Sequence, residues 1–290
     1  MDLTSSFYYL DEFCKSFEEC VGKRTLSSGK HKRMRAMSLS LSEVMSIMVH
    51  YHVSGFKTFK DYYMRSSEIR SAFPTMPSYN RFLELQQKAL VSLTVLAKLR
   101  GKSACDGISF IDSFSLKVCH PKRISSHKVF KGLATRGKTS VGWFFGFKLH
   151  VVITSQGEVI DFSLTRGNIA DNNSDVLVKL MKNIQGKVYG DKGYLINSEL
   201  FQKLYSKGIH LVTKIRKNMR NSLMDISDKL LLRKRGIIES VGSILKSTCN
   251  IEHSRYRNPL TLLNNVCAGL ITYAFRENKP SIKRSNTTFI

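Results

Sequence analysis

The chain has 290 residues, 42% of them hydrophobic, and its 46 Lys and Arg against 22 Asp and Glu give a formal charge of +24 and a pI near 9.9. That length buries a substantial core and accommodates two domains. No run approaches the roughly 20 apolar residues of a membrane span, and MDLTSSFYYLDEF lacks a basic region followed by an apolar one, so the composition excludes a membrane partner and predicts a soluble cytoplasmic chain.

Six cysteines, at positions 14, 20, 105, 119, 249 and 267, show no C-x-x-C spacing and read as reduced thiols. Cys119, His120 and His127 lack a fourth ligand at useful spacing, and no role follows from them. The basicity is a stronger signal, because it is concentrated. Between Asp112 and Glu158 there is no carboxylate, while Lys117, Lys122, Arg123, Lys128, Lys131, Arg136, Lys138 and Lys148 accumulate. A second tract runs from Lys214 through Arg216, Lys217, Arg220, Lys229, Arg233 and Lys234 to Arg235. Such an excess favours a polyanion, and nucleic acid above others, since each neutralised phosphate releases condensed counterions.

Residues 1–100 read as an all-helical N-terminal domain. Ser40 and Glu43 form a capping box, after which Val44, Ile47, Met48 and Tyr51 recur at helical spacing until HVSGF interrupts them. A helix restarts near Thr58 through FKDYYMR. The pair, with Lys57, Lys60 and Arg65 on its second member, fits a helix-turn-helix reader of DNA, although helical hairpins of this kind are more often plain packing units. FPTMPSYNRF then breaks the pattern before an amphipathic helix from about Ser78 to Leu99.

From residue 107 the pattern changes. Strands are predicted at 108–118, at GWFFGFKLHVVIT and at EVIDFSLT, the last two joined by an SQG turn. A helix starts near Ser174 with Val176, Leu177, Leu180 and Met181 as its buried stripe. GKVYGD supplies a fourth strand, Ser198–Lys207 a short helix, and IHLVTKI a fifth strand before further helices. That order predicts an α/β domain over 101–278 with a ribonuclease H-like mixed sheet, its first three strands an antiparallel meander and its later strands entered by crossover helices. The polar segment 279–290 is expected to be a loose tail. Trp143 is expected in the sheet core rather than as a base-stacking wedge.

Within ISFIDSFSLKV, alternation sets Asp112 on the same side as Ile108, Phe110, Phe114 and Leu116. An ionised carboxylate there needs a hydrogen-bonding partner, a cation or a raised pKa. Asp191 ends the fourth strand between Gly190 and Gly193, and in such a sheet it neighbours Asp112. A third acid, Glu239, lies in RKRGIIESVGSILK, where Arg235, Glu239, Gly242 and Lys246 share one helical face and Ile237, Ile238, Val241, Ile244 and Leu245 the other. Arg235 and Glu239 are also spaced for an exposed ion pair. Asp161, in the third strand, and Asp171, in a loop suited to capping the next helix, rank below these three. His150 is left without a role. Clustered carboxylates become tolerable and useful around two divalent ions about 3.5–4 Å apart, which is the arrangement phosphodiester cleavage requires.

LSEVMSIMVHYHVSGFKTFKDYY, PSYNRF, FIDSFSL, GWFFGFKLHVV, LTRGNIADNNS, VYGDKGY and RGIIESVGSILK occur in this order along nearly the full chain. In these motifs the sequence resembles the DDE transposases of bacterial insertion sequences, and the insertion sequence 982 family most closely. The resemblance implies Asp112, Asp191 and Glu239 as catalytic, metal-holding acids, with two Mg2+ ions, or Mn2+ in their place. It implies Arg235 and Lys246 as phosphate contacts, and the basic tract adds Lys122, Arg123 and Lys131. Related enzymes carry a Tyr, Arg, Glu and Lys signature around the third acid; Arg235, Glu239 and Lys246 match it, and Leu232 stands in the tyrosine place. The implied partners are double-stranded DNA, as terminal inverted repeats and as target, and further copies of the chain assembled on DNA at the bacterial nucleoid. The implied reaction frees 3′ hydroxyl groups at the element's ends and joins them to target phosphodiesters. Two alternatives are a nuclease of this fold that never joins strands and a DNA-binding remnant without catalysis.

Overall fold

The computed structural model describes residues 2–27, 38–101, 105–214, 224–253 and 255–282. Contacts divide the chain into two units: Met1–Ala97 with Ser247–Ile251 and Tyr256–Arg276, and Lys98–Lys246 with Glu252–Arg255 and Glu277–Ile290.

The first unit is helical. It holds α1 (Leu3–Ser27), α2 (Leu41–Tyr51), α3 (Phe59–Arg65), α4 (Ser67–Ala72), α5 (Tyr79–Lys88), most of α6 (Leu90–Gly101) and, from the far end of the chain, α11 (Pro259–Ala274). The capping box is present: Ser40 Oγ accepts from Glu43 N, and Glu43 Oε2 accepts from Ser40 N at 2.6 Å. Thr58 caps α3 by accepting from Asp61 N. The single helix expected over 78–99 is two, because Ala89 turns to donate to Gln86 O, three residues back. Phe59, Tyr62, Tyr63, Tyr79 and Phe82 stack against one another, with Tyr63 and Phe82 centroids 4.7 Å apart, and fix α3 against α5. The sequence reading assigned α11 to the 101–278 segment. Its Leu262, Val266, Leu270 and Ile271 are buried instead in the helical unit, where the helix meets α2 and α5.

The second unit is a six-stranded sheet with helices on both faces. Its elements are β1 (Ile108–Cys119), β2 (Thr135–Thr139), β3 (Gly142–Thr154), β4 (Val159–Arg166), α7 (Ser174–Leu180), β5 (Gly186–Gly190), α8 (Ser198–Tyr205), β6 (Ile209–Thr213), α9 (Ile226–Lys234) and α10 (Gly236–Ser247). β1 is central: antiparallel to β3, which pairs both β2 and β4, and parallel to β5, which is parallel to β6. An antiparallel meander followed by parallel strands entered through helices is the ribonuclease H-like order the sequence predicts. Gly157, at φ +74°, makes the predicted SQG turn between β3 and β4.

Two elements escape the sequence reading. β2 is TRGKT, polar throughout, and exists through its pairing with the first half of β3. α9 is hidden inside the basic tract; its buried Asp228 accepts from Lys187 Nζ at 2.8 Å and Tyr189 Oη at 2.7 Å on β5. On one face of the sheet Ile111, Val152 and Val188 form a core with Leu177 and Leu180 of α7 and Leu200 and Leu204 of α8. On the other, α10 comes so close to β1 that a Cβ on Gly242 would overlap the Phe114 ring. Gly242 therefore faces the sheet rather than sharing the solvent face with Glu239, as the helical pattern had suggested. The tail does not loosen at 279: Lys279 pairs with Glu158 at 2.9 Å and Ile282 N donates to Ser155 O, while 283–290 lie outside the described residues. All six cysteines are free, and among the described residues no helix is long and apolar enough to cross a membrane.

Candidate active site

The parallel ladder between β1 and β5 pairs Ile108 with Lys187 and Phe110 with Tyr189. Continued two residues in the same register, it brings Asp112 level with Asp191, which leaves the sheet as the residue following β5. Neighbouring strands lie about 4.8 Å apart. The two carboxylates thus start from adjacent backbone positions at the end of a parallel pair, where ligand sites of α/β sheets form. Asp191 is exposed, and the short 3-10 turn Lys192–Tyr194 carries the chain away from it.

Asp112 is partly buried, its side chain 22% exposed, between Phe110 and Phe114. Its Oδ1 accepts from Ser113 N at 2.8 Å and its Oδ2 from Arg235 Nη1 at 2.9 Å. Burial raises its pKa above the ordinary aspartate value; Arg235 and the Ser113 amide pull against that, and the charge of Asp171 adds to it. Arg235 caps the C-terminus of α9 immediately before α10, and the rest of its guanidinium serves the third acid: Nη2 donates to Glu239 Oε1 at 3.1 Å. The Arg235–Glu239 pair foreseen as an exposed ion pair is therefore half of a bridge. Arg235 is only 13% exposed and ties Asp112 to Glu239, whose own side chain is 65% exposed.

No group of three His, Cys, Asp or Glu side chains able to hold a metal ion is gathered among the described residues. The three candidate acids would offer carboxylate oxygens alone, the kind of donor that suits a hard divalent cation. Such an ion and the Arg235 guanidinium call on the same oxygens.

The two other candidate acids each have a cationic partner. Asp161 is buried and ion-paired with Lys98. Asp171 does not cap α7; Asn173 does, accepting from Val176 N. Asp171 Oδ1 instead accepts from Ser113 Oγ at 2.7 Å and from Lys148 Nζ at 3.0 Å, on the face of β1 opposite Asp112, and a Cβ on Gly193 would lie 3.6 Å from its Oδ2. It borders the turn that carries Asp191. Buried Tyr194 lies near both acids: burial first, then the charges of Asp112 and Asp171, raise its pKa well above the ordinary tyrosine value. The signal for this network was in the sequence, since Ser113 and Ser115 alternate away from Asp112, and their cross-strand partners are His150 and Lys148.

Of the basic residues singled out, Lys122 and Arg123 lie exposed in a 3-10 turn after β1, and Lys131 is exposed before β2. Lys246 pairs with Glu252 at 3.0 Å. Arg216, Lys217 and Arg220 lie outside the described residues. Leu232, in the place where related enzymes have tyrosine, is buried. Trp143 is not in the core: it is 65% exposed at the end of the β2–β3 hairpin, because the buried alternate position there belongs to Phe144.

The family model described as the transposase DDE domain matches residues 102–259. No curated protein sequence matches the chain. Among solved structures, a chain of the simian T-cell lymphotropic virus intasome bound to PP2A regulatory subunit B56 gamma aligns at 14% identity and a TM-score of 0.29, over 63% of this chain and 60% of that one. A chain of the Mos1 strand transfer complex aligns at 14% identity and a TM-score of 0.25, over 87% of this chain and 83% of that one. The present chain thus spans under two thirds of the intasome chain's length.

Proposed function

The chain belongs to the family defined by the transposase DDE domain, and from that footing we propose that it is a DNA transposase of the insertion sequence 982 type, cutting phosphodiester bonds at an element's ends and joining the freed 3′ hydroxyls to target DNA. The observation that carries the reading is the register that sets Asp112 beside Asp191, together with the Arg235 bridge from Asp112 to Glu239.

In this reading Asp112, Asp191 and Glu239 hold two Mg2+ ions, with Mn2+ as a substitute. When bound, such ions neutralise charge at the scissile phosphate and activate the attacking oxygen. The protein's own part is placement. β1 carries Asp112 within the sheet, Asp191 follows β5 where the chain leaves it, and α10, seated on Phe114 through Gly242, carries Glu239 within reach of the Arg235 guanidinium that also holds Asp112. Once Asp112 and Glu239 turn to the ions, Arg235 becomes free to hold a phosphate of the bound strand. Lys122, Arg123, Lys131 and Lys246 extend that contact along the backbone. In the helical unit, exposed Lys57, Lys60 and Arg65 around α3 are the proposed grip on the terminal repeats. Synapsis of two DNA ends calls for more than one copy of the chain.

The test is direct. Purified protein with Mg2+ or Mn2+ should nick a fragment bearing the element's terminal repeats, and Asp112→Asn and Asp191→Asn should bind that fragment without nicking it. Cleavage that survives either change sinks the assignment. A marked target plasmid separates the readings further: joined products are expected, and hydrolysis with no joining would identify a nuclease of the same fold.

A further inference from the structure

We propose that the end of the β2–β3 hairpin is a base-stacking site for unpaired DNA, in which Trp143 lies against an exposed nucleobase while Lys138 and Arg136 hold the flanking phosphates. The proposal rests on the DNA-processing reading above and adds a second contact to it, remote from the acids.

The hairpin is built to present this residue. β2 and β3 pair from Thr135–Gly146 to Thr139–Gly142, leaving Ser140 and Val141 as the turn, with Gly142 at φ +144° and Thr139 Oγ1 donating to Gly142 O. Phe144, nearly fully buried, anchors one side, packed so tightly against Gly137 that a Cβ there would overlap its ring. Alternation then turns Trp143 outward. It is 65% exposed and Val141 is 93% exposed, the highest value for a large hydrophobic side chain among the described residues. An apolar pair this open on an otherwise structured hairpin calls for a partner with a flat apolar face.

The surroundings say which partner. Lys138, cross-strand from Trp143, holds its ammonium 5.7 Å from the centre of the indole ring, and Arg136 is exposed two pairs further along. No carboxylate occurs in the sequence between Asp112 and Glu158, so the hairpin and the arm before it, with Lys122, Arg123, Lys128 and Lys131, carry positive side chains and no acidic one of their own. Cations along a backbone with an aromatic platform between them are the elements of single-strand recognition. Distance fits the same use. Trp143 stands eight residues along β3 from Val151, the cross-strand partner of Asp112, or about 26 Å at 3.3 Å per residue. That span leaves room for several nucleotides between the stacked base and the acids.

Trp143 is the only tryptophan, so its own fluorescence reports on the site. The full chain is titrated with three fluorophore-labelled probes: a fully paired duplex, the same duplex with a short unpaired bubble, and a single strand. The expected result is quenching of Trp143 emission by the bubble and the single strand in step with the anisotropy of the label, and far weaker quenching by the paired duplex. Trp143→Ala should weaken bubble binding by roughly 5- to 150-fold and Trp143→Phe much less, with paired-duplex affinity nearly unchanged. Binding reported by the label with no change in Trp143 emission, or equal bubble affinity in Trp143→Ala, overturns the stacking site and leaves the transposase reading standing. Failure of every probe to bind defeats both. An emission change that follows protein concentration without DNA would assign the hairpin to contact between copies, and overturn the proposal as well.

Discussion

Arg235 donates to Asp112 at 2.9 Å across 123 positions of sequence, and with its second amino group holds Glu239 at 3.1 Å. A cation is thus already present between two of the three acids, and it comes from the protein. The guanidinium partly offsets the burial that raises the Asp112 pKa. Arg235→Ala removes that offset, leaves a desolvated carboxylate without its charged partner, and should lower stability by about 1–3 kcal/mol in the absence of divalent ions. Because the freed oxygens are those a divalent ion would take, Mg2+ or Mn2+ should raise the melting temperature of Arg235→Ala more than that of the natural chain. Calorimetry of both proteins over a Mg2+ series measures this; equal shifts would show that ion and guanidinium do not share ligands.

The exposed basic residues predict a salt effect rather than a sequence preference. Lys122, Arg123 and Lys131 flank the chain between β1 and β2 with solvent-facing side chains. If each neutralises one phosphate, changing all three to Ala should flatten the slope of log affinity against log salt by about 2.7. Lys246 is held by Glu252 at 3.0 Å, so Lys246→Ala should change the slope by less than any one of the three. Binding isotherms on one duplex at several salt concentrations decide both points.

Why some of this was legible in the sequence and some was not follows from the range of the interactions. The strand order, the capping box at Ser40 and the placement of Asp112 depend on period and on neighbours a few residues away, and these the sequence states directly. The Arg235 bridge spans β1 and α10, and a helical pattern shows only its short-range half, the Arg235–Glu239 spacing. Gly242 was misread for a similar reason: its lack of a side chain looks polar in a helical pattern, whereas here it is the close-approach point for Phe114. Trp143 was misread because alternation gives two faces without saying which is covered, and the anchor proved to be Phe144. β2 has no apolar alternation to read and is defined by its partner strand.

His150 makes the sheet acid-sensitive. It is fully buried, its Nε2 lies 2.9 Å from Thr165 Oγ1, its Nδ1 has no hydrogen-bond partner among the described residues, and burial pushes its pKa down to about 4 from an ordinary 6.5. Asp171 pulls that value up and Lys148 pushes it down, both less than burial. The folded chain therefore keeps His150 neutral at pH values where the unfolded chain protonates it. Its contribution to stability is complete above about pH 6.5 and is lost as pH falls toward 4, by about 3 kcal/mol in all. Urea unfolding across that window should show the loss in the natural chain and a shallower one in His150→Gln, which keeps a group able to reach Thr165. Identical pH profiles would remove His150 as the cause.

Gly242 tests whether α10 must sit where it does. Its Cα side faces the Phe114 ring so closely that any side chain overlaps it, and Phe114 is two residues from Asp112 on the same face of β1. Gly242→Ala gains intrinsic helix propensity of up to about 1 kcal/mol, so a helix free of the sheet would become more stable. Packed as observed, the added methyl must displace either the ring or the helix, and a net loss of about 1–3 kcal/mol is expected. Displacing the helix also moves Arg235 and Glu239 from Asp112, so nicking should fall further than stability alone explains. The double variant Gly242→Ala, Phe114→Leu gives the methyl room and should recover much of both, with an interaction energy in the double-mutant cycle of opposite sign to the single losses. If Gly242→Ala instead stabilises the protein and leaves nicking intact, the close contact between α10 and β1 does not position the third acid.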